Sequence, residues 1–150
     1  LAYNYFHNYM QLLKDGGAIY VLGGNANHKT TPERFNFMHD NYACAEDIPY
    51  YTGKYGYYCD GSASNWEVRD NVIIGCSIPI FSQPHPLALS YHNHFTNIYS
   101  TTPIHQSTHV PERDVLTENY VMVEAGLDAL LEAYPEAKAI RDKAGASVLR

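Results

Sequence analysis

An asparagine followed by an aromatic or aliphatic pair recurs five times along this chain: Asn4-Tyr5-Phe6, Asn36-Phe37-Met38, Asn71-Val72-Ile73, Asn97-Ile98-Tyr99 and Asn119-Tyr120-Val121. The intervals are 32, 35, 26 and 22 residues, and the first two copies extend to a shared Asn-aromatic-apolar-His-Asn/Asp pattern. Repetition at this period marks a stack of similar units, the shorter intervals being bare units and the longer two the same unit with a loop inserted. Asparagine suits the sharp bends of such a stack. It tolerates left-handed backbone, and its amide can bond the equivalent residue in the next unit. The spacing therefore predicts one column of Asn4, Asn36, Asn71, Asn97 and Asn119.

A second element repeats between these marks. Gly17-Ala18-Ile19-Tyr20-Val21-Leu22-Gly23 lies over Gly56-Tyr57-Tyr58-Cys59-Asp60-Gly61 when Ile19-Tyr20 is matched to Tyr57-Tyr58. Each is a short β-prone run bounded by glycine, so every unit holds at least two strands. In this register Tyr20 stacks on Tyr58, and Asp60 overlies Leu22. The fold expected is all-β, a right-handed parallel β-helix, with residues 1–126 as coils. After Gly126 the period changes: Leu127, Leu130, Leu131 and Tyr134, then Pro135, Ala137, Ile140 and Ala144, follow helical spacing. Residues 127–145 are expected to form an amphipathic helical cap over the end of the stack, with 146–150 as a tail. The other end shows no such cap, so upstream coils of the same protein are expected as a partner.

Composition removes several classes of function. With 45% apolar and 17% charged residues the chain is neither disordered nor a coiled coil. A net charge of −6 and scattered Lys and Arg leave no stripe to follow a phosphate backbone, so nucleic acid is not an expected partner. No apolar run reads as a membrane span or signal peptide. Cys44, Cys59 and Cys76 lack CxxC spacing and read as small buried apolar residues, with a Cys59–Cys76 disulfide as the alternative. No phosphate loop, dinucleotide fingerprint, G-x-S-x-G elbow or calcium loop is present, and no cofactor is expected.

The segments Asp15-Gly16-Gly17-Ala18-Ile19-Tyr20, Gly56-Tyr57-Tyr58-Cys59-Asp60-Gly61-Ser62 and Val68-Arg69-Asp70-Asn71-Val72-Ile73 resemble bacterial parallel β-helix proteins of carbohydrate metabolism. The likeness is greatest to glycoside hydrolase family 141, over roughly residues 1 to 145. The resemblance implies a secreted, periplasmic or cell-surface protein that hydrolyses a polysaccharide or oligosaccharide, with Asp15 and Asp60 as the catalytic pair. Independently of the family, glycoside cleavage needs one carboxyl to protonate the leaving oxygen and a second to act as base or nucleophile. Because Asp60 overlies Leu22 and not Asp15, retention or inversion stays open. As turn residues beside glycine, both aspartates have a purely structural explanation too.

Fourteen tyrosines against five phenylalanines supply flat apolar faces with polar tips, suited to sugar rings. The long interval from Asn36 to Gly56 holds Tyr42, Tyr50, Tyr51 and Tyr55. The expected substrate contacts are Tyr20, Tyr58, Tyr51 and Trp66, with His39 within reach of the cleft. Of eight histidines, His92 and His94 share a strand face, yet no third ligand can be assigned, and no metal is expected. Two rival functions remain. A polysaccharide lyase on this fold would draw on Lys54, Arg69 and His39, and a non-catalytic glycan-binding or structural module would need none of them.

Overall fold

Among the described residues, short β-prone runs between turn residues become nine strands, every pair of which runs parallel. The computed structural model describes residues 1–10, 15–23, 35–46, 48, 54–83, 89–105 and 109–145. In chain order the strands are β1 (Tyr5–Phe6), β2 (Gly17–Val21), β3 (Asn36–His39), β4 (Tyr42–Cys44), β5 (Tyr55–Cys59), β6 (Trp66–Ile74), β7 (Ile78–Ser82), β8 (Asn93–Ser100) and β9 (Val115–Met122). Helices α1 (Leu127–Ala133) and α2 (Pro135–Lys143) follow. Six strands form one sheet in the order β1-β4-β6-β8-β9, with β3 also on β6, and β2-β5-β7 form a second. Among the described residues the fold is therefore mostly β, with parallel sheets and no closed barrel.

Register across the second sheet follows the glycine-bounded runs, with Ile19 opposite Tyr57 and Tyr20 opposite Tyr58. The asparagine column is different and splits in two. Asp40, Asp70, Asn97 and Asn119 occupy the corners, at φ of 52°, 54°, 54° and 51°. Short polar side chains accept this left-handed backbone at low cost. Asn97 donates to Asp70 across 27 residues and Asn119 donates to Asn97 across 22. One residue further on, a second column points inward, where Asn4 donates to Asn41 and Asn41 to Asn71. Asn36 belongs to neither and pairs with Trp66. The physical reason is the period of two, since a slip of one residue turns a side chain from the outside to the core.

The inner faces of the two sheets meet in one core that includes Met38, Val68, Phe95, Ile73, Tyr57 and Ile80. Gly56 on β5 is hemmed in by β7 of its own sheet and by Ile73 of the other. A Cβ there would lie 2.4 Å from the Pro79 carbonyl oxygen and 2.5 Å from Ile73 Cγ2. Backbone cannot yield as a side-chain tip does, so Gly56→Ala is expected to destabilise the protein by about 2–3 kcal/mol. The midpoint of urea unfolding measures this, and an unchanged midpoint would refute the close approach.

The helical segment breaks at Tyr134, which is extended at φ −129° and ψ 90°, and Pro135 opens the second helix. A residue before proline avoids helical backbone, and proline is at home in a first turn. Where the sequence places this segment over the end of the stack, the structure lays it along a sheet face. Leu130, Leu131, Ala137 and Ile140 cover Tyr42, Cys44, Val72, Ile74 and Tyr99, the outward residues of β4, β6 and β8. That apolar row would otherwise face water. Cys44, Cys59 and Cys76 are all free thiols and all buried, which excludes the Cys59–Cys76 disulfide. Burial pushes the Cys59 and Cys76 thiols up to about 12.

Candidate functional site

On β2, β5 and β7 the residues Ile19, Tyr57 and Ile80 point into the core, so the alternation of a strand turns Tyr20, Tyr58 and Phe81 outward in one row. Their rings meet edge to face, with centroids 5.1 Å apart for Tyr20–Tyr58 and 4.8 Å for Tyr58–Phe81. Tyr55 packs on Tyr58 at 4.6 Å and on Phe81 at 5.3 Å, extending the platform towards the start of the strands. Tyr20 stays 41% exposed, while Tyr58, between it and Phe81, is buried at 7%.

The two aspartates flank this platform. Asp60 follows β5 directly, and three donors hold its carboxylate: the Tyr20 hydroxyl at 2.5 Å, the Gly61 N–H at 2.7 Å and Gln83 Nε2 at 3.1 Å. Asp15 stands exposed just before β2. The Tyr58 phenol is pushed up by burial first and then by the Asp15 carboxylate beside its hydroxyl, with the Asp60 charge adding. The Tyr20 phenol is pushed up to about 12, chiefly by its hydrogen bond to Asp60, and Asp15 contributes here as well. Both tyrosine hydroxyls therefore feel both carboxylates, Asp60 through the direct hydrogen bond from Tyr20.

Burial opposes the charged form of Asp60, yet the hydrogen bonds from Tyr20, Gln83 and Gly61 outweigh it and hold the carboxyl below its ordinary value of 3.8. A depressed folded-state value means that these bonds stabilise the fold fully above the unfolded value and lose that effect as pH falls through the folded one. The stability difference between the parent and Asp60→Asn is thus expected to be constant near neutrality and to shrink below about pH 4. Urea titrations at pH 7 and pH 2.5 test this, and a gap that widened in acid would contradict it.

Other expected contacts lie elsewhere. Trp66 opens β6 on the first sheet and packs against the interior core, because the turn from Gly61 to Asn65 carries the chain round a corner with left-handed Ser62 and Asn65. His39 ends β3, with its Nδ1 2.7 Å from Asp40 and its ring edge-on to Tyr3. Neither joins the aspartates, and Tyr51 lies outside the described residues. Phe81 and Gln83 join the group without any mark in the sequence, because β7 carries neither a glycine boundary nor an asparagine.

Of the three residues a lyase would draw on, two lie side by side. His39 and Arg69 are register neighbours on the first sheet, and Lys54 Nζ lies 3.4 Å from the Ala45 carbonyl oxygen. His92 and His94 meet at Asp114, whose Oδ2 lies 2.9 Å from His92 Nδ1 and 3.1 Å from His94 Nε2. Burial raises the Asp114 carboxyl, and the two histidines more than reverse that. Among the described residues no three His, Cys, Asp or Glu side chains are arranged to hold a metal ion. No helix among them is long and apolar enough to cross a membrane. Compared with known protein families, curated proteins and solved structures, the chain finds no match.

Proposed function

We propose that the chain is a stretch of right-handed parallel β-helix whose aromatic row, exposed at Tyr20, binds a polysaccharide or oligosaccharide, and whose flanking aspartates hydrolyse it. The fold reading is supported by the parallel pairing of each strand with the equivalent run 22 to 38 residues along, and by the right-handedness of parallel crossovers. The functional reading rests on one observation: the Tyr20, Tyr58 and Phe81 surface carries a carboxylate at either side. Sugar rings present C–H faces to aromatic rings and hydroxyls to carboxylates, so the same surface binds and orients a glycoside.

In this reading Asp60, which its three hydrogen bonds keep ionised, is the base or nucleophile, and Asp15 is the acid that protonates the leaving oxygen. The likeness of the Asp15-Gly16-Gly17 and Asp60-Gly61-Ser62 segments to family 141 glycoside hydrolases assigns the same two residues. A second reading, a non-catalytic glycan-binding module, draws on the same three bonds, since a carboxylate so fully engaged also serves simply to fix Tyr20. Incubation with a panel of polysaccharides distinguishes them. Hydrolysis releases reducing ends without ultraviolet absorbance, and new absorbance from an unsaturated product would replace the proposal by a lyase. Binding without release of any fragment would leave the module.

A further inference from the structure

The three hydrogen bonds on Asp60 are not shared evenly between its two oxygens. The Gly61 N–H and Gln83 Nε2 both donate to Oδ1, at 2.7 Å and 3.1 Å, whereas Oδ2 takes the Tyr20 hydroxyl alone among the described residues. A carboxylate offers about two acceptor positions on each oxygen. Oδ1 is therefore filled, and Oδ2 keeps one position open.

The oxygens also face different neighbours, because β5 lies between β2 and β7 in the second sheet. Oδ1 is held by the turn after β5 and by Gln83, which directly follows β7. The Gln83 backbone is itself pinned, its N–H donating to the Cys59 carbonyl at 2.8 Å and its carbonyl accepting from Arg113 Nη1 at 3.4 Å. Oδ2 is held from the opposite side by Tyr20 of β2, the strand that Asp15 precedes. The Tyr20 phenol, raised chiefly by its bond to Asp60, is raised by the Asp15 charge as well. A glycoside lying between the two carboxyl groups thus has Oδ2 on its side and Oδ1 turned away.

We propose that Oδ2 of Asp60 is the reacting oxygen and that Tyr20 is its positioning residue, the hydroxyl fixing the plane of the carboxylate while the ring serves the aromatic row. This assignment rests on the hydrolytic reading above. Whether Asp60 acts as nucleophile or base, Oδ2 supplies the electron pair, either to the anomeric carbon or to a proton of the water that attacks it. The bond from that carbon to the leaving oxygen breaks, and the leaving oxygen takes its proton from Asp15. After direct attack, water splits the glycosyl ester and its proton returns to Asp15.

Tyr20→Phe and Gln83→Leu each remove one hydrogen bond from the carboxylate, on opposite oxygens, and so provide the test. Both bonds favour the charged form, so the acid limb of kcat/KM against pH is expected to move to higher pH in both variants. Measured above that limb, Tyr20→Phe is expected to lower kcat about tenfold with KM within about twofold, since the ring remains. Gln83→Leu is expected to lower kcat only about two- to threefold, because it touches the oxygen that does not react. Tyr20 is partly exposed and phenylalanine keeps its ring, so the variant is expected to fold. An unmoved acid limb or a parental kcat in Tyr20→Phe would overturn the assignment, as would a larger loss of kcat in Gln83→Leu. In each of those outcomes hydrolysis by the parent chain leaves the hydrolase reading standing. A parent chain that releases no reducing ends from any polysaccharide fails that reading, and the assignment falls with it.

Discussion

Asn71→Ala is expected to cost about 4 kcal/mol, a large fraction of the stability of a domain of this size. Asn71 is fully buried, and its Oδ1 accepts from the Asn41 backbone N–H at 3.0 Å, from Asn41 Nδ2 at 3.1 Å and from the Tyr57 hydroxyl at 2.8 Å. Its Nδ2 donates to the Arg69 carbonyl at 2.6 Å. Truncation leaves several buried groups without partners and opens a cavity, and each effect costs on the order of 1–3 kcal/mol. Tyr57→Phe removes the hydroxyl that donates to Asn71 and accepts, at 3.4 Å, from Asn41 Nδ2, and should cost about 1–2 kcal/mol. Because the two side chains share a bond, the double variant should be less damaging than the sum of the singles. Urea unfolding of the four proteins provides the cycle, and strict additivity would show that the Tyr57 hydroxyl and Asn71 are uncoupled.

Asp60→Asn carries the largest expected effect on activity. On whichever substrate the parent cleaves, kcat should fall roughly a thousandfold while KM changes little, because the carboxylate serves the transition state more than the bound ground state. Asparagine keeps an oxygen for the Gly61 N–H and Gln83 Nε2, which share Oδ1, and loses only the acceptor for the Tyr20 hydroxyl, and the site is on the surface, so the melting temperature should move by only a few degrees. Asp15→Asn should do the same, and the double variant should be no worse than about the poorer single, as befits two groups acting as a unit. An Asp60→Asn protein with parental kcat would remove the aspartate from the chemistry and leave the tyrosine row as a binding surface alone.

The part of the architecture that reads well from sequence is the part that glycine punctuates. Gly17, Gly56 and the β-prone runs after them place Tyr20 against Tyr58 without help from the structure. The asparagine column reads less well because Asp40-Asn41 and Asp70-Asn71 are doublets, in which the first residue takes the left-handed corner and the second turns inward. Matching Asn71 to Asn97 is therefore wrong by one residue, as it equates an inward position with a corner. Trp66 shows another limit, since nearness to Asp60 in sequence is undone by the corner at Asn65. The leucine spacing of 127, 130 and 131 announces a helix with an apolar side. It does not say which surface that side will cover, because the outward row of Tyr42, Val72 and Tyr99 only becomes continuous once the strands have paired.

The short span between neighbouring strands also has a kinetic side. Partners along the columns are only 22 to 37 residues apart in sequence, so each pairing closes a modest loop and none waits for the two ends of the chain to meet. The longest and best-paired strands, β6 and β8, are natural places for assembly to begin, with β9 and then β4 and β1 added by zippering. Strand β1, paired with β4 over only two residues, gains least from this zippering.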